Sequence, residues 1–182
     1  MPSPSPSAPA SASASASARP ATPGELLAAA LAPLHAASAF DTKVTVDGKV
    51  AVTSAGRSVD GGTQLTVTTS GKTVDYIQLP PQAWARPSGG AWVLVTVDQA
   101  PGSPLGVLAA PTTLAADPSN PAALVATYPA LNLGLTGDPV TVTITLGSAV
   151  TFHYESNAAG HKTVSQTTIR PSTNLDPIKA PI

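Results

Sequence analysis

Residues 140–155 read VTVTITLGSAVTFHYE, and their alternation decides the fold. Val140, Val142, Ile144 and Leu146 stand at every second place with threonine between them. After Gly147-Ser148, Val150, Phe152 and Tyr154 alternate with Thr151, His153 and Glu155. An apolar period of two makes a strand with one buried and one wet face, because successive side chains point to opposite sides of a pleated backbone. Two such runs parted by a Gly-Ser break predict antiparallel neighbours, and residues 162–170 predict a last strand beside them.

The same period runs upstream. Phe40, Thr42, Val44 and Val46 alternate with Asp41, Lys43 and Thr45, and Asp47-Gly48 supplies a hairpin turn before Val50 and Val52. Further strands are expected over 64–69 (Leu65, Val67), 72–79 (Val74, Tyr76) and 91–97, with turns at Gly61-Gly62, Ser70-Gly71 and 88–90. In front of them, Thr22-Pro23-Gly24-Glu25 has capping-box spacing with proline at the first helical position. Leu27, Leu31 and Leu34 then share one stripe, which predicts a helix over 25–38, kinked at Pro33 and capped late by His35. Residues 101–133 contain six prolines among Leu105, Val107, Leu108, Leu114, Leu124 and Val125. This block reads as short broken helices, one of them over 122–127 behind Asn120-Pro121. One helix, about five strands, a helical block and about three strands describe an α+β domain with helices over one face of an antiparallel sheet.

Composition excludes several function classes. The 182 residues carry a net charge of -1, 10% charged side chains and no cysteine. Thiolate, disulfide and zinc-ribbon chemistry are therefore absent, and the scattered cations make no basic stripe for nucleic acid. No apolar run approaches the roughly 18 residues of a membrane-spanning helix, and the start of the chain has no signal-peptide pattern. Residues 1–22 are nearly all Pro, Ser and Ala. Such a tract cannot bury enough surface to offset its ordering entropy, so it is expected to be disordered. It reads either as an untidy terminus or as a tether reaching roughly 25 Å as a coil and up to about 70 Å in polyproline II form. Residues 23–182 are expected to form one domain.

ELLAAALAPLHAASAFDTKVTVDG over 25–48, the two tryptophans of QAWARPSGGAWVLV, the Pro- and Leu-rich block and the closing DPIKAPI resemble actinobacterial cell-envelope lipoproteins of the LppX and LprG type, related in fold to the LolA carrier. The resemblance implies a strongly curved antiparallel half-barrel with an N-terminal helix and short helices on its concave face, enclosing an apolar cavity for the acyl chains of a lipid or glycolipid. It also implies a signal peptide and an acylated cysteine ahead of a spacer like 2–22. Neither is present in this chain, so a membrane-surface anchor on the extracytoplasmic side, or secretion, is inferred from the resemblance and the tail. The protein is expected to be monomeric and non-enzymatic, without cofactor.

An acyl chain needs aliphatic lining and gains roughly 0.8 kcal/mol for each methylene taken from water. Candidate lining residues are Val44, Val46, Leu65, Val67, Val142, Ile144 and Phe152 from strands, with Leu27, Leu31, Leu108, Leu114 and Leu124 from helices. The same residues also suit a closed dry core, which would leave a surface-tethered structural or interaction module of the same fold. Trp84 and Trp92, flanking Arg86, read as the rim of a headgroup site or as a hairpin anchor. His153, Glu155 and His161 have metal-ligand chemistry, but a solvated polar face explains them equally, and no metal site is assigned. No G-x-S-x-G, H-E-x-x-H or Gly-rich phosphate loop occurs, and no catalytic residue is assigned.

Overall fold

The computed structural model describes residues 19–158 and 160–181. Most of the expected spacer lies outside them. The capping box closes as its spacing predicts: Thr22 Oγ1 accepts from the Glu25 N–H at 3.3 Å, and the Glu25 carboxylate accepts from the Thr22 N–H at 2.7 Å. Helix α1 spans Pro23–Leu31, followed by a 3-10 turn over Ala32–Leu34. It ends earlier than the expected 38, because Pro33 has no N–H to return to the preceding turn. His35 therefore closes the 3-10 turn rather than a long helix.

Eleven strands follow: β1 (Ala37–Val46), β2 (Lys49–Val59), β3 (Gly62–Thr69), β4 (Lys72–Leu79), β5 (Gln82–Pro87), β6 (Val93–Val95), β7 (Thr113–Ala116), β8 (Ala123–Tyr128), β9 (Val140–Thr145), β10 (Val150–Ala158) and β11 (His161–Pro171). They form one antiparallel sheet in the order β6-β5-β4-β3-β2-β1-β11-β10-β9-β8-β7. The sheet is thus two meanders joined where β1 pairs with β11, from Ser38 opposite Pro171 to Val46 opposite Thr163.

The block over 101–133 corrects the sequence reading. Only Pro104–Leu108 is α-helical (α2); Thr113–Ala116 and Ala123–Tyr128 are strands. Asn120-Pro121 starts a turn rather than a helix: the Ala123 N–H donates to the Asn120 carbonyl at 2.9 Å, and the Asp117 N–H donates to the Ala123 carbonyl at 3.0 Å. Leu124, Ala126 and Tyr128 then alternate inward against β9, whose strong alternation recruits them. Leu114 and Leu124 accordingly line the sheet as strand residues, not helix residues. Upstream, the strand expected over 91–97 shrinks to the three residues of β6 at the sheet edge.

Register places one set of side chains on a common inner face. Leu124, Ile144, Phe152, Thr167, Thr42, Ser54 and Val67 form one row across the sheet. Leu114, Ala126, Val142, Tyr154, Ser165 and Val44 form the next. Phe40 lies over Gly56 on this face: a Cβ at Gly56 would come within 2.6 Å of Leu65 Cβ and 2.8 Å of Phe40 Cζ. Buried Leu27, Leu31 and Leu34 complete the same core with Leu105 and Leu108 from α2.

The opposite, outer face carries a second cluster of Ala37, Val59, Ile77 and Ile178, with half-buried Leu79, Trp84 and Trp92 beside it. Ile178 comes from the segment after β11, which recrosses the sheet. The Arg57 guanidinium holds that segment by donating to the Asp176 carbonyl at 2.8 Å. The crossing explains one displaced turn. The hairpin bends at Asp60-Gly61, both at positive φ, instead of at Gly61-Gly62. Gly62 belongs to β3, where a Cβ would meet Leu79 Cδ2 at 2.8 Å and Ile178 Cβ at 3.4 Å.

Because Gly56 is walled by backbone and two side chains on the inner face, Gly56→Ala is expected to lower stability by about 1–3 kcal/mol. The urea midpoint of unfolding measures it.

Candidate functional site

Two apolar hollows flank α2 on the inner side of the sheet. The first, of about 230 Å³, has a floor of Thr42, Val44, Phe152 and Tyr154 and a wall of Val107 and Leu133, with Asn132 at its edge. Its floor holds hydroxyls, of which Thr42 Oγ1 and Thr167 Oγ1 bond each other at 2.8 Å across the β1–β11 seam. The second, of about 350 Å³, is a groove along α1 lined by Leu27, Ala28, Leu31, Ala32, His35 and Ala109. Leu108 of α2 lines neither hollow and is fully buried in the core. Its carbonyl accepts a hydrogen bond from the Tyr128 hydroxyl at 3.1 Å, and burial pushes that phenol up to about 12.

The twelve sequence-selected lining residues divide by position. All seven assigned to strands fall on the inner face, in the register expected. Val44 and Phe152 floor the first hollow, whereas Leu27 and Leu31 floor the groove. Leu65, Leu108, Leu124, Val142 and Ile144 are buried in the packed core, against which Val67 and Leu114 pack half-buried. Val46 is half-buried near the end of β1 and lines neither hollow. Sequence reasoning left out Thr42, Leu133, Tyr154, Ser165 and Thr167. The signal for Thr42 and Tyr154 was their phase, since they stand two residues from Val44 and Phe152 and so share their face. Leu133 carried none, as it projects from a 3-10 turn.

Trp84 and Trp92 stand on the outer face, with the sheet between them and both hollows, so the headgroup rim assigned to them is not at either mouth. Trp84 packs against the Ile77 and Ile178 cluster, the anchoring role. The Arg86 guanidinium lies 4.6 Å over the Trp92 ring and pairs with Asp75 at 2.8 Å. That contact with Arg86, and then the hydroxyl of Thr66, hold the Asp75 carboxyl below the ordinary range.

No protein-family model matches this chain, and no curated protein matches it significantly.

The metal-ligand trio does not assemble. His161 Nδ1 turns to Asp47 Oδ2 at 2.7 Å, and Glu155 Oε2 takes Lys162 Nζ at 2.7 Å. His153 stands 4.0 Å from the other Glu155 oxygen. Among the described residues no three His, Asp or Glu side chains are grouped to hold a metal ion. A third hollow, of about 620 Å³, runs over residues 134–141 and 155–157, where the carboxylates of Asp138 and Glu155 and polar Thr136, Thr141, Ser156 and Asn157 stand beside Leu135, Pro139 and Val140. The two hollows beside α2 are instead suited to taking hydrocarbon out of water. Neither is lined by a carboxylate or by a lysine or arginine cation.

The Asp47 contact joins the β1–β2 turn to the start of β11. His161 first, and the Lys162 N–H second, hold the Asp47 carboxyl below its usual 3.8. A carboxyl lowered on folding contributes stability at neutral pH and loses it as pH falls through the unfolded and then the folded value. His161→Ala is expected to move the Asp47 titration upward, toward 3.8, read by carbon NMR of the carboxyl.

Proposed function

We propose that this chain is a non-enzymatic cell-envelope lipoprotein domain of the LppX and LprG type that binds, and carries, a lipid or glycolipid by its acyl chain. The observation that supports this most is the hollow floored by Val44, Phe152 and Tyr154 and walled by Val107 and Leu133, whose aliphatic and aromatic groups stand beside Thr42, Ser165, Thr167 and Asn132 with no charged side chain among them. Burying methylenes there yields roughly 0.8 kcal/mol each, while no ionised group needs desolvation.

The half-barrel belongs to this reading, with α1 and α2 on its concave side. Helix α1 lies against β7 at the sheet edge and leads, through its 3-10 turn, into β1. In a flat sheet those strands, five steps apart, would be about 24 Å from one another. The helix and turn together span only about 20 Å. A sheet curled about α1 accommodates both contacts. In this proposal the Pro-, Ser- and Ala-rich segment ahead of α1 tethers a monomer to the extracytoplasmic membrane surface through an N-terminal lipid anchor. A helix long and apolar enough to cross the bilayer is lacking among the described residues.

One observation favours a second reading. Leu108, Leu124 and Ile144 are almost wholly inaccessible, so much of the expected lining is packed against itself, as in a structural or protein-binding module with a closed core.

Native mass spectrometry of protein purified from its own host separates the two. Lipid carriage predicts a reproducible adduct of lipid mass, lost in Val44→Trp, which fills the hollow while the sheet persists by circular dichroism. Adduct-free protein whose thermal midpoint is unmoved by added lipid overturns it and leaves the closed module.

A further inference from the structure

Strands β9 and β10 separate toward one end. Their ladder runs from Thr145 opposite Thr151 to Val142 opposite Tyr154 and stops there. Beyond it Val140 and Thr141 stay paired with β8, while Glu155, Ser156 and Asn157 stay paired with β11. Each strand end is thus held by its other neighbour, and backbone N–H and C=O groups that a longer β9–β10 ladder would have joined are left without strand partners. The hollow of about 620 Å³ opens in this gap, lined by both strand ends and by the loop over 134–139 that leads into β9. Its size lies within the usual range for ligand pockets, roughly 300–1,000 Å³.

The fold does not account for the polar side chains in the gap. Backbone alone closes the start of the loop: Gly134, at φ 71°, donates its N–H to the Leu131 carbonyl at 3.0 Å, and the Leu135 N–H donates to the Ala130 carbonyl at 2.9 Å. Asp138, Thr141, Ser156 and Asn157 have no side-chain hydrogen-bond partner among the described residues. Other turn carboxylates serve their own surroundings. Asp117 accepts from the Ser119 N–H at 2.8 Å and from its hydroxyl at 2.6 Å, and Asp47 takes His161 at 2.7 Å. Asp138 braces no turn.

The chemistry of the lining selects among ligands. Its two charged groups, Asp138 and Glu155, are both acidic and repel an anion, and a hydrocarbon would have to strip water from them. No third His, Asp or Glu is grouped with them to hold a metal ion among the described residues. A cation would meet only one uncompensated carboxylate, because Lys162 Nζ already lies 2.7 Å from Glu155. Hydroxyl groups suit the gap, since each donates to a carboxylate or carbonyl and accepts from an amide or another hydroxyl. Leu135 and Pro139 supply apolar contact for the C–H faces of a sugar ring.

We propose that the gap between β9 and β10 is a binding site for a short neutral glycan, with the Asp138 carboxylate accepting from its hydroxyls and Thr141, Ser156 and Asn157 completing the contacts. The site stands independently of the lipid-binding reading, since it shares no lining residue with the hollows beside α2.

The test follows the backbone amides of Gly134, Gly137 and Asn157 by NMR of the full chain while maltotriose, mannotriose and galactotriose are added separately at millimolar concentration. At least one of them is expected to shift these amides saturably. Asp138→Ala is expected to weaken that binding about tenfold or more and to leave the thermal midpoint unchanged, because Asp138 bonds no other described side chain. Octyl glucoside below its micelle concentration separates the sources of the sugar: shifts confined to these amides support a soluble glycan, and shifts reaching Val44 and Phe152 as well support a glycolipid headgroup. The proposal is overturned if none of the trisaccharides gives saturable shifts, if Asp138→Ala binds as tightly as the wild type, or if the diamine putrescine shifts these amides and the sugars do not. None of those three results touches the lipid-binding reading.

Discussion

The ladder between β1 and β11 is the constraint on which the rest of this molecule depends. It joins residues 37–46 to residues 161–171, two stretches separated by most of the chain, and makes one sheet out of two meanders. Each meander alone would end in an exposed edge and half a core. Across the seam, Phe40 meets Ile169, the Thr42 and Thr167 hydroxyls satisfy each other, Asp41 pairs with Arg170, and the Asp47 N–H donates to the Lys162 carbonyl at 2.8 Å. Hydrophobic, hydroxyl and ionic contacts therefore all fix the same register. A one-residue slip would turn Phe40, Val44 and Ile169 to the wet face. Pairing so remote in sequence closes a large loop before it gains contacts, which makes it a late and slow step of folding.

The inner face is built of alternating bulky and small groups. Gly56 admits the Phe40 ring, and Ser54, Thr42 and Ser165 stand where larger side chains would fill the space under α2. Such a face packs densely where Leu124, Ile144 and Ile169 meet, and loosely where hydroxyl residues lie below Val107. The low aromatic content visible in the composition thus has a spatial expression: the core is complete near β8 and β9 and hollow beside the seam.

Much of this was legible in the sequence because period two leaves no doubt about faces. Val142, Ile144, Phe152, Val44 and Leu65 fell on the inner side as read, since a half-buried strand declares its register through its apolar phase. The strands β7 and β8 were hidden for a local reason: Asn120-Pro121 is as good a turn as a helix start, and alanines at 115, 116, 122, 123 and 126 blur the alternation. Pairing with β9, which no local window contains, decided between the two. The hollows were legible only in part, through Val44 and Phe152 in one and Leu27 and Leu31 in the other. Whether Leu108 packs or Val107 faces empty space depends on how a five-residue helix settles over a sheet, and neither composition nor spacing encodes that.

The two tryptophans have a consequence for how the molecule can be observed. Both belong to the outer cluster that Ile178 completes, whereas Phe40, Phe152, Tyr76, Tyr128 and Tyr154 all face inward. Intrinsic tryptophan fluorescence therefore reports the docking of the chain's final segment against Trp84, an event that cannot precede β11. It is nearly blind to whatever occupies the space on the other side of the sheet. Tyrosine emission, centred on Tyr154 in the floor of the first hollow, is the optical signal that watches the interior.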